Sequence, residues 1–296
     1  MQTLRRWIAR LACLALAASA ALPSIAQSPP GAVALRAKHA ELRATLERNE
    51  FGRPIHLTSS QDGNNMRGEV YAVVDYPFSQ VAGLQSAATW CDVLILPFNT
   101  KHCYATGRGA DTHLKLRIGR KADQPAEQAF ALDFDYRPIA STPDYLRVQL
   151  AAPAGPLGTR DYRIVLEATS LDDRRSFVHL AYAYGFTTMS KVLMQAYLST
   201  TGAKKVGFTV TGRDAQGQPV YIGGMLGATE RNTMRYFLAI DAYLASLAAP
   251  PGERVARRIE AWFTASERYP RQLHEMERGE YMALKRRETA RVNAAL

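Results

Sequence analysis

Gly68-Glu69-Val70-Tyr71-Ala72-Val73-Val74-Asp75-Tyr76-Pro77-Phe78-Ser79-Gln80-Val81 is a strand that runs into a proline-started helix. Val70, Ala72, Val74 and Tyr76 alternate onto one face, and Tyr71 and Val73 make the other face largely apolar too. Pro77 closes the strand and opens a helix, because a first-turn position does not need the missing N–H. The helix is expected over Phe78–Ala88, with Val81, Leu84 and, just beyond, Trp90 packing inward.

Downstream, several runs alternate with period two. Leu114, Leu116 and Ile118 oppose His113, Lys115 and Arg117; Phe130, Leu132, Phe134 and Tyr136 oppose Asp133, Asp135 and Arg137. Leu146, Val148 and Leu150, then Tyr162, Ile164 and Leu166, repeat the pattern on either side of the turn Gly155-Pro156-Leu157-Gly158. Such alternation is what an antiparallel sheet with one wet face requires. Arg175–Phe186 is a further strand, with Tyr182 and Tyr184 on one face and Phe177 and His179 on the other.

Upstream, Leu35, Leu42 and Leu46 give Val33–Asn49 the pattern of an amphipathic helix, and Phe51–Gly68 reads as a loop. Thr188–Thr201 reads as a helix, and Lys205–Thr211 with Pro219–Gly223 as a hairpin around Asp214-Ala215-Gln216-Gly217. From Thr229, as N-cap, a long helix carries Met234, Phe237, Ile240, Leu244 and Leu247 as its inward stripe. Helices over Glu253–Thr264 and Pro270–Val292 follow, with Glu275/Arg278 and Glu288/Arg291 spaced for surface ion pairs. The fold class is α+β: a curved antiparallel sheet packed around a long helix, with a helical C-terminal extension.

The segment Gly68–Val81, followed by Leu84 and Trp90, resembles the opening of START-like (helix-grip) proteins: strand, proline turn, a Val on the first helix, then a Trp. The likeness spans about residues 66–248, which leaves 27–65 as an N-terminal helix and loop and 249–296 as the extension. It implies a cavity for a lipid, sterol or other apolar ligand, and no shared catalytic residue. The same apolar stripes would equally fill an ordinary core.

Residues 1–26 have the three parts of a secretory signal peptide: Arg5, Arg6 and Arg10, an apolar run Leu11–Leu22, and the small-x-small site Ser24-Ile25-Ala26. An uncleaved anchor is the competing reading. Leu4 stands where a twin-arginine signal usually has Ser or Thr, so Sec-type export to the periplasm is expected. Cleavage removes three Arg and no acid, and the net charge falls from +10 to +7. That balance is compatible with transient contact with an anionic membrane surface or with an anionic ligand, although the dispersed basic residues better suit an ordinary solvated surface; no nucleic-acid motif accompanies it, and nucleic acid is not expected as a partner. Of the three cysteines, Cys91 and Cys103 remain after cleavage. In an oxidising compartment they read as a disulfide, whereas a metal site with His102 or His113 would need reduced thiolates.

Catalytic motifs fail on inspection. His274-Glu275-Met276-Glu277-Arg278 begins like a zinc-protease motif, but Arg278 cannot ligate zinc, so a solvated helix face is expected. Gly223-Gly224-Met225-Leu226-Gly227 lacks the Gly-Lys-Ser/Thr of a phosphate loop. It still offers a helix start for an anionic head group, helped by Arg231 and Arg235, unless the glycines only allow close packing. His179 is the single candidate base, with Asp133 or Glu167 to orient it. Neither a metal nor a cofactor is expected. The sequence therefore points to an exported protein that binds an apolar or amphiphilic small molecule or lipid, lined by Trp90, Phe98, Tyr104, Tyr182, Tyr184 and Tyr236. The alternatives are a hydrolase or cyclase on the same scaffold and a partner-binding protein using its charged C-terminal helices.

Overall fold

The computed structural model describes residues 30–294 apart from 201 and 203, so the expected signal peptide lies outside the described residues. Eight strands form one antiparallel sheet: β1 (Ile55–Asp62), β2 (Asn65–Val74), β3 (Thr100–Thr106), β4 (His113–Ile118), β5 (Phe130–Ser141), β6 (Tyr145–Ala154), β7 (Thr159–Ser170) and β8 (Ser176–Phe186). Their spatial order is β1-β2-β8-β7-β6-β5-β4-β3. The meander β3 to β8 thus returns its last strand to the β1–β2 hairpin. β9 (Val210–Arg213) and β10 (Pro219–Tyr221) make a separate small hairpin. Among the described residues no helix is long and apolar enough to cross a membrane.

Helix α5 (Gly224–Ser246) packs on the face of the sheet that carries Val70, Ala72 and Val74 of β2. Its Met234, Phe237, Ile240 and Leu244 are at most 1% exposed. Burying each such side chain is worth about 1.5–3 kcal/mol before the entropy cost, so this stripe is the main clamp. The opposite face is dry over part of its width as well. Helix α1 (Pro30–Glu47) lays Leu35, Leu42 and Leu46 against Tyr145 and Phe177, with Tyr71 and Val73 packed beside them. The apolar second face of β2 is thereby explained.

Several boundaries differ from the sequence reading. The expected loop 51–68 contains β1, whose Ser, Thr and Gln side chains hide its pairing with β2 from a composition count. The expected helix 78–88 is divided into α2 (Phe78–Val81), a 3-10 turn and α3 (Ala87–Leu94), with extended Ser86 as the break. Trp90 therefore sits inside α3. The long helix α5 starts at Gly224, not at Thr229, whose hydroxyl instead bonds back to the Met225 carbonyl. The C-terminal extension is α6 (Arg254–Ser266), α7 (Pro270–Leu273) and α8 (Arg278–Ala294). Residues 274–277 lie between helices, and Glu275 is buried rather than solvated, with its side chain 5% exposed.

The two expected surface ion pairs are also replaced. Glu288 lies fully buried between Lys101 (2.8 Å) and Lys285 (2.7 Å), while Glu275 joins Lys121, Lys205 and Arg235. The charged face of the extension thus docks on its own sheet edge. Arg287 and Arg291 meet Asp123 instead. Arg258 of α6 pairs with Asp92 of α3.

Candidate functional site

Where α5 crosses β2, the strand offers glycine. A Cβ on Gly68 would lie 2.2 Å from the Thr233 hydroxyl and 3.1 Å from Thr229, so only glycine lets the helix lie this close. Gly227 plays the same part at the helix start, where a Cβ would meet the Ile222 carbonyl at 2.7 Å. The Gly-rich start of α5 therefore packs against the hairpin segment.

Gly68 pairs across the ladder with Tyr182. Tyr182 and Tyr184 of β8, Tyr162 of β7 and Tyr236 of α5 form a nest of four rings. Centroids lie 5.3 Å apart for Tyr182–Tyr236, 5.6 Å for Tyr182–Tyr184 and 5.7 Å for Tyr162–Tyr184. These are attractive offset and tilted contacts. Tyr182 and Tyr184 are buried, whereas Tyr162 and Tyr236 keep part of their surface exposed. The Tyr162 hydroxyl donates to Thr159 at 2.8 Å, and Asn232 and Thr229 of α5 are the polar neighbours of the Tyr182 and Tyr184 hydroxyls. Burial pushes the phenol of Tyr162 up to about 12 and that of Tyr182 well above its ordinary range. The nest therefore presents neutral hydroxyl tips on apolar rings.

Among the described residues the core beside the nest is close-packed. Leu150, Ile164, Leu166 and Leu180 keep no surface that a water molecule could touch. Open volumes lie at the surface instead. One of about 540 Å³ separates α1 from the sheet at Arg36, His39, Arg43 and Val73. Another of about 970 Å³ lies at Arg53, Asp75, Tyr76, Asp241 and Arg257.

Of the expected lining residues, the fold brings together Tyr182, Tyr184 and Tyr236 and separates the rest. Trp90 donates its indole N–H to the Leu84 carbonyl (2.8 Å), and Phe98 packs edge-on against Trp262 and Tyr281; both are core residues near the β3 edge. Tyr104 is half-buried on β3, next to the His102 ring. Cys91 and Cys103 are joined as a disulfide, tying α3 to β3.

Arg231 and Arg235 lie on α5, both buried. Arg231 donates to the Val206 carbonyl at 3.1 Å, and Arg235 pairs with Glu275 at 2.6 Å. Burial alone would raise the Glu275 pKa, but Arg235, Lys121 and Lys205 around the carboxylate hold it near 2. Lys121, desolvated and beside Arg235, is itself pulled down to about 8. Glu230 of α5, fully buried, accepts hydrogen bonds from the Phe208 and Thr209 amides and from the Ser59 and Thr209 hydroxyls. Sequence reasoning missed Glu230, because a lone Glu one turn inside a helix carries no motif.

His179 lies on the α1 side of the sheet, away from the nest. Its Nδ1 meets Glu167 at 3.0 Å and its Nε2 meets Glu69 at 2.8 Å, while the Tyr71 ring stacks on it at 4.2 Å. Burial lowers the imidazole pKa, but the hydrogen bonds to Glu167 and Glu69 outweigh it and raise the pKa overall. Both carboxylates are held near 2: Glu69 chiefly by its bond to His179, Glu167 against burial by His179, Tyr145 and Arg147. Both ring nitrogens are thus engaged by carboxylates, and His179 pins β2, β8 and β7 together. The expected alternative partner, Asp133, pairs with Lys115 instead.

No protein-family model matches the sequence, and no curated protein matches it as a relative. Solved structures show partial likeness. The norcoclaurine synthase from Thalictrum flavum matches at 12% identity and a TM-score of 0.32, over 50% of this chain and 80% of that one. The Zhui aromatase/cyclase from Streptomyces sp. R1128 matches at 14% and 0.31, over 45% and 70%. A protein from Thermus thermophilus matches at 10% and 0.39, over 62% and 99%. The α+β helix-grip class rests on this chain's own topology: an antiparallel eight-stranded sheet with a long helix laid across it and a helical extension behind.

Proposed function

We propose that this chain is an exported, periplasmic, START-like binding protein for an apolar or amphiphilic ligand, a lipid above all. The observation that supports the reading is the tyrosine nest. It places four apolar rings with neutral hydroxyl tips between sheet and long helix, and two of the rings reach the surface. A site that fixes orientation with a few polar tips on an apolar wall suits an acyl chain or ring system bearing a modest head group. Because the core beside the nest is close-packed, binding displaces ring–ring contacts and parts α5 from β7 and β8. Arg231 and Arg235 lie within five residues of Tyr236 on α5 and, released from the Val206 carbonyl and from Glu275, would receive an anionic head group in that opened state.

Native mass spectrometry of protein purified from the periplasm of expressing bacteria, with extraction of whatever accompanies it, tests the proposal. A lipid or other apolar molecule near one-to-one is expected, reduced in a Tyr182→Ala, Tyr236→Ala double variant. A protein that stays empty after incubation with a lipid extract contradicts it.

A further inference from the structure

Over its described side chains, helix α4 (Thr188–Ser199) turns apolar groups to solvent. Met189, Val192 and Leu193 fall at i, i+3 and i+4, one stripe of the helix, and are 68%, 57% and 44% exposed. Among the described side chains of α4 the buried one is polar: Ser190 accepts from the Thr187 amide at 2.8 Å, and its hydroxyl lies 3.1 Å from the Thr187 carbonyl and 3.3 Å from that of Gly158, with Met194 half-buried one turn on. A helix of a water-exposed domain normally points its apolar stripe the other way.

A second feature lies in the turn on which α4 rests. Leu157 has φ of 56°, in the left-handed region that favours glycine, and its side chain is 56% exposed. The backbone bears this strain while holding a fourth large apolar group in solvent at the turn that α4 touches. The charge pattern completes the picture. From Arg174 to Arg213 the chain contains no Asp or Glu, and it carries Lys191 on α4 and Lys204 shortly after it.

We propose that α4 and the Leu157 turn form a docking surface for an anionic phospholipid bilayer. The apolar stripe enters the boundary between head groups and acyl chains, and the acid-free basic segment meets the lipid phosphates. The segment that carries the stripe holds Lys191 and Lys204 and no acid from Arg174 to Arg213, and the exposed Asp161 that follows the Leu157 turn is paired with Arg160, so the charge left beside the stripe is positive and complementary to a negatively charged plane. The proposal stands on the exposed stripe and not on the tyrosine nest, so it holds or fails independently of the ligand.

The test is flotation of the purified protein with vesicles of phosphatidylethanolamine and phosphatidylglycerol, compared with vesicles of phosphatidylcholine alone. Expected are binding to the anionic vesicles, weakening as salt is raised, and a loss of about tenfold or more in a Met189→Ser, Val192→Ser, Leu193→Ser variant with an unchanged melting temperature. Absence of wild-type binding to anionic vesicles overturns the proposal. So does equal binding of the variant, which would leave charge alone at work. A wild-type dimer that the variant converts to monomer also overturns it, because the stripe would then cover a second copy of the chain.

Discussion

Gly68 of β2 and Thr233 of α5 meet where helix and sheet cross, with room for no side chain between them: a Cβ on Gly68 would stand 2.2 Å from the Thr233 hydroxyl oxygen. The crossing fixes the height of α5 above β8 and so the depth of the tyrosine nest. Gly68→Ala is expected to lose about 1–3 kcal/mol by overpacking. Adding Thr233→Ala should return part of that loss. Urea denaturation of the single and double variants checks both statements, and full additivity would mean the contact is not the cause.

The carboxylate–imidazolium–carboxylate clasp gives stability a pH signature. The raised pKa of His179 contributes stability below the unfolded value of 6.5, and that contribution is lost as pH rises through the folded value. Glu69 and Glu167, held near 2 against 4.5 unfolded, contribute above 4.5 and lose it as pH falls towards 2. Stability from this clasp is therefore greatest between about pH 4.5 and 6.5. In His179→Gln the decline above pH 6.5 should flatten, with a loss of about 3 kcal/mol at pH 5.5. Denaturation midpoints measured across pH decide this.

Glu288 is the shared counter-ion of two lysines that have no surface of their own. Burial pulls Lys285 down to about 8 even with the carboxylate present. Glu288→Ala leaves Lys101 and Lys285 buried without their anion and should cost about 3–5 kcal/mol, on the order of 10 °C in melting temperature. Glu280→Ala, at an exposed position of the same helix, should change little. Calorimetry compares the two.

The Cys91–Cys103 bond closes a loop with a sequence separation of 12. Replacing both cysteines by Ser is expected to cost about 2–4 kcal/mol. Reductant should lower the melting temperature of the wild type towards that of the variant and leave the variant unmoved.

Much of this architecture was legible wherever one physical pattern dominated. Alternation in Leu146–Leu150 and Tyr162–Leu166 marked β6 and β7, and the Met234–Leu244 stripe marked α5. The pairing of cysteines was expected from their even number, and the aromatic face of β8 from its period of two. What escaped depends on contacts distant in sequence. β1 and β3 are polar strands whose place is set by their partners, and β3 even buries a lysine, Lys101. The charges of the extension looked like solvated pairs because i, i+3 spacing is visible in a sequence, whereas a lysine 187 residues from Glu288 is not. At the candidate site, Tyr182 and Tyr184 share a strand face and could be grouped by period, while Trp90, Phe98 and Tyr104 were grouped only by being aromatic.

Hydrogen exchange with and without the co-purified lipid, or a lipid extract if none co-purifies, tests the central claim most directly. The account predicts slower exchange confined to β7 around residues 159–166, to β8 around residues 180–186, and to α5 around residues 227–236. Protection at Arg36–Glu47 and Val73–Asp75 in place of these segments, or no protection at all, would contradict it.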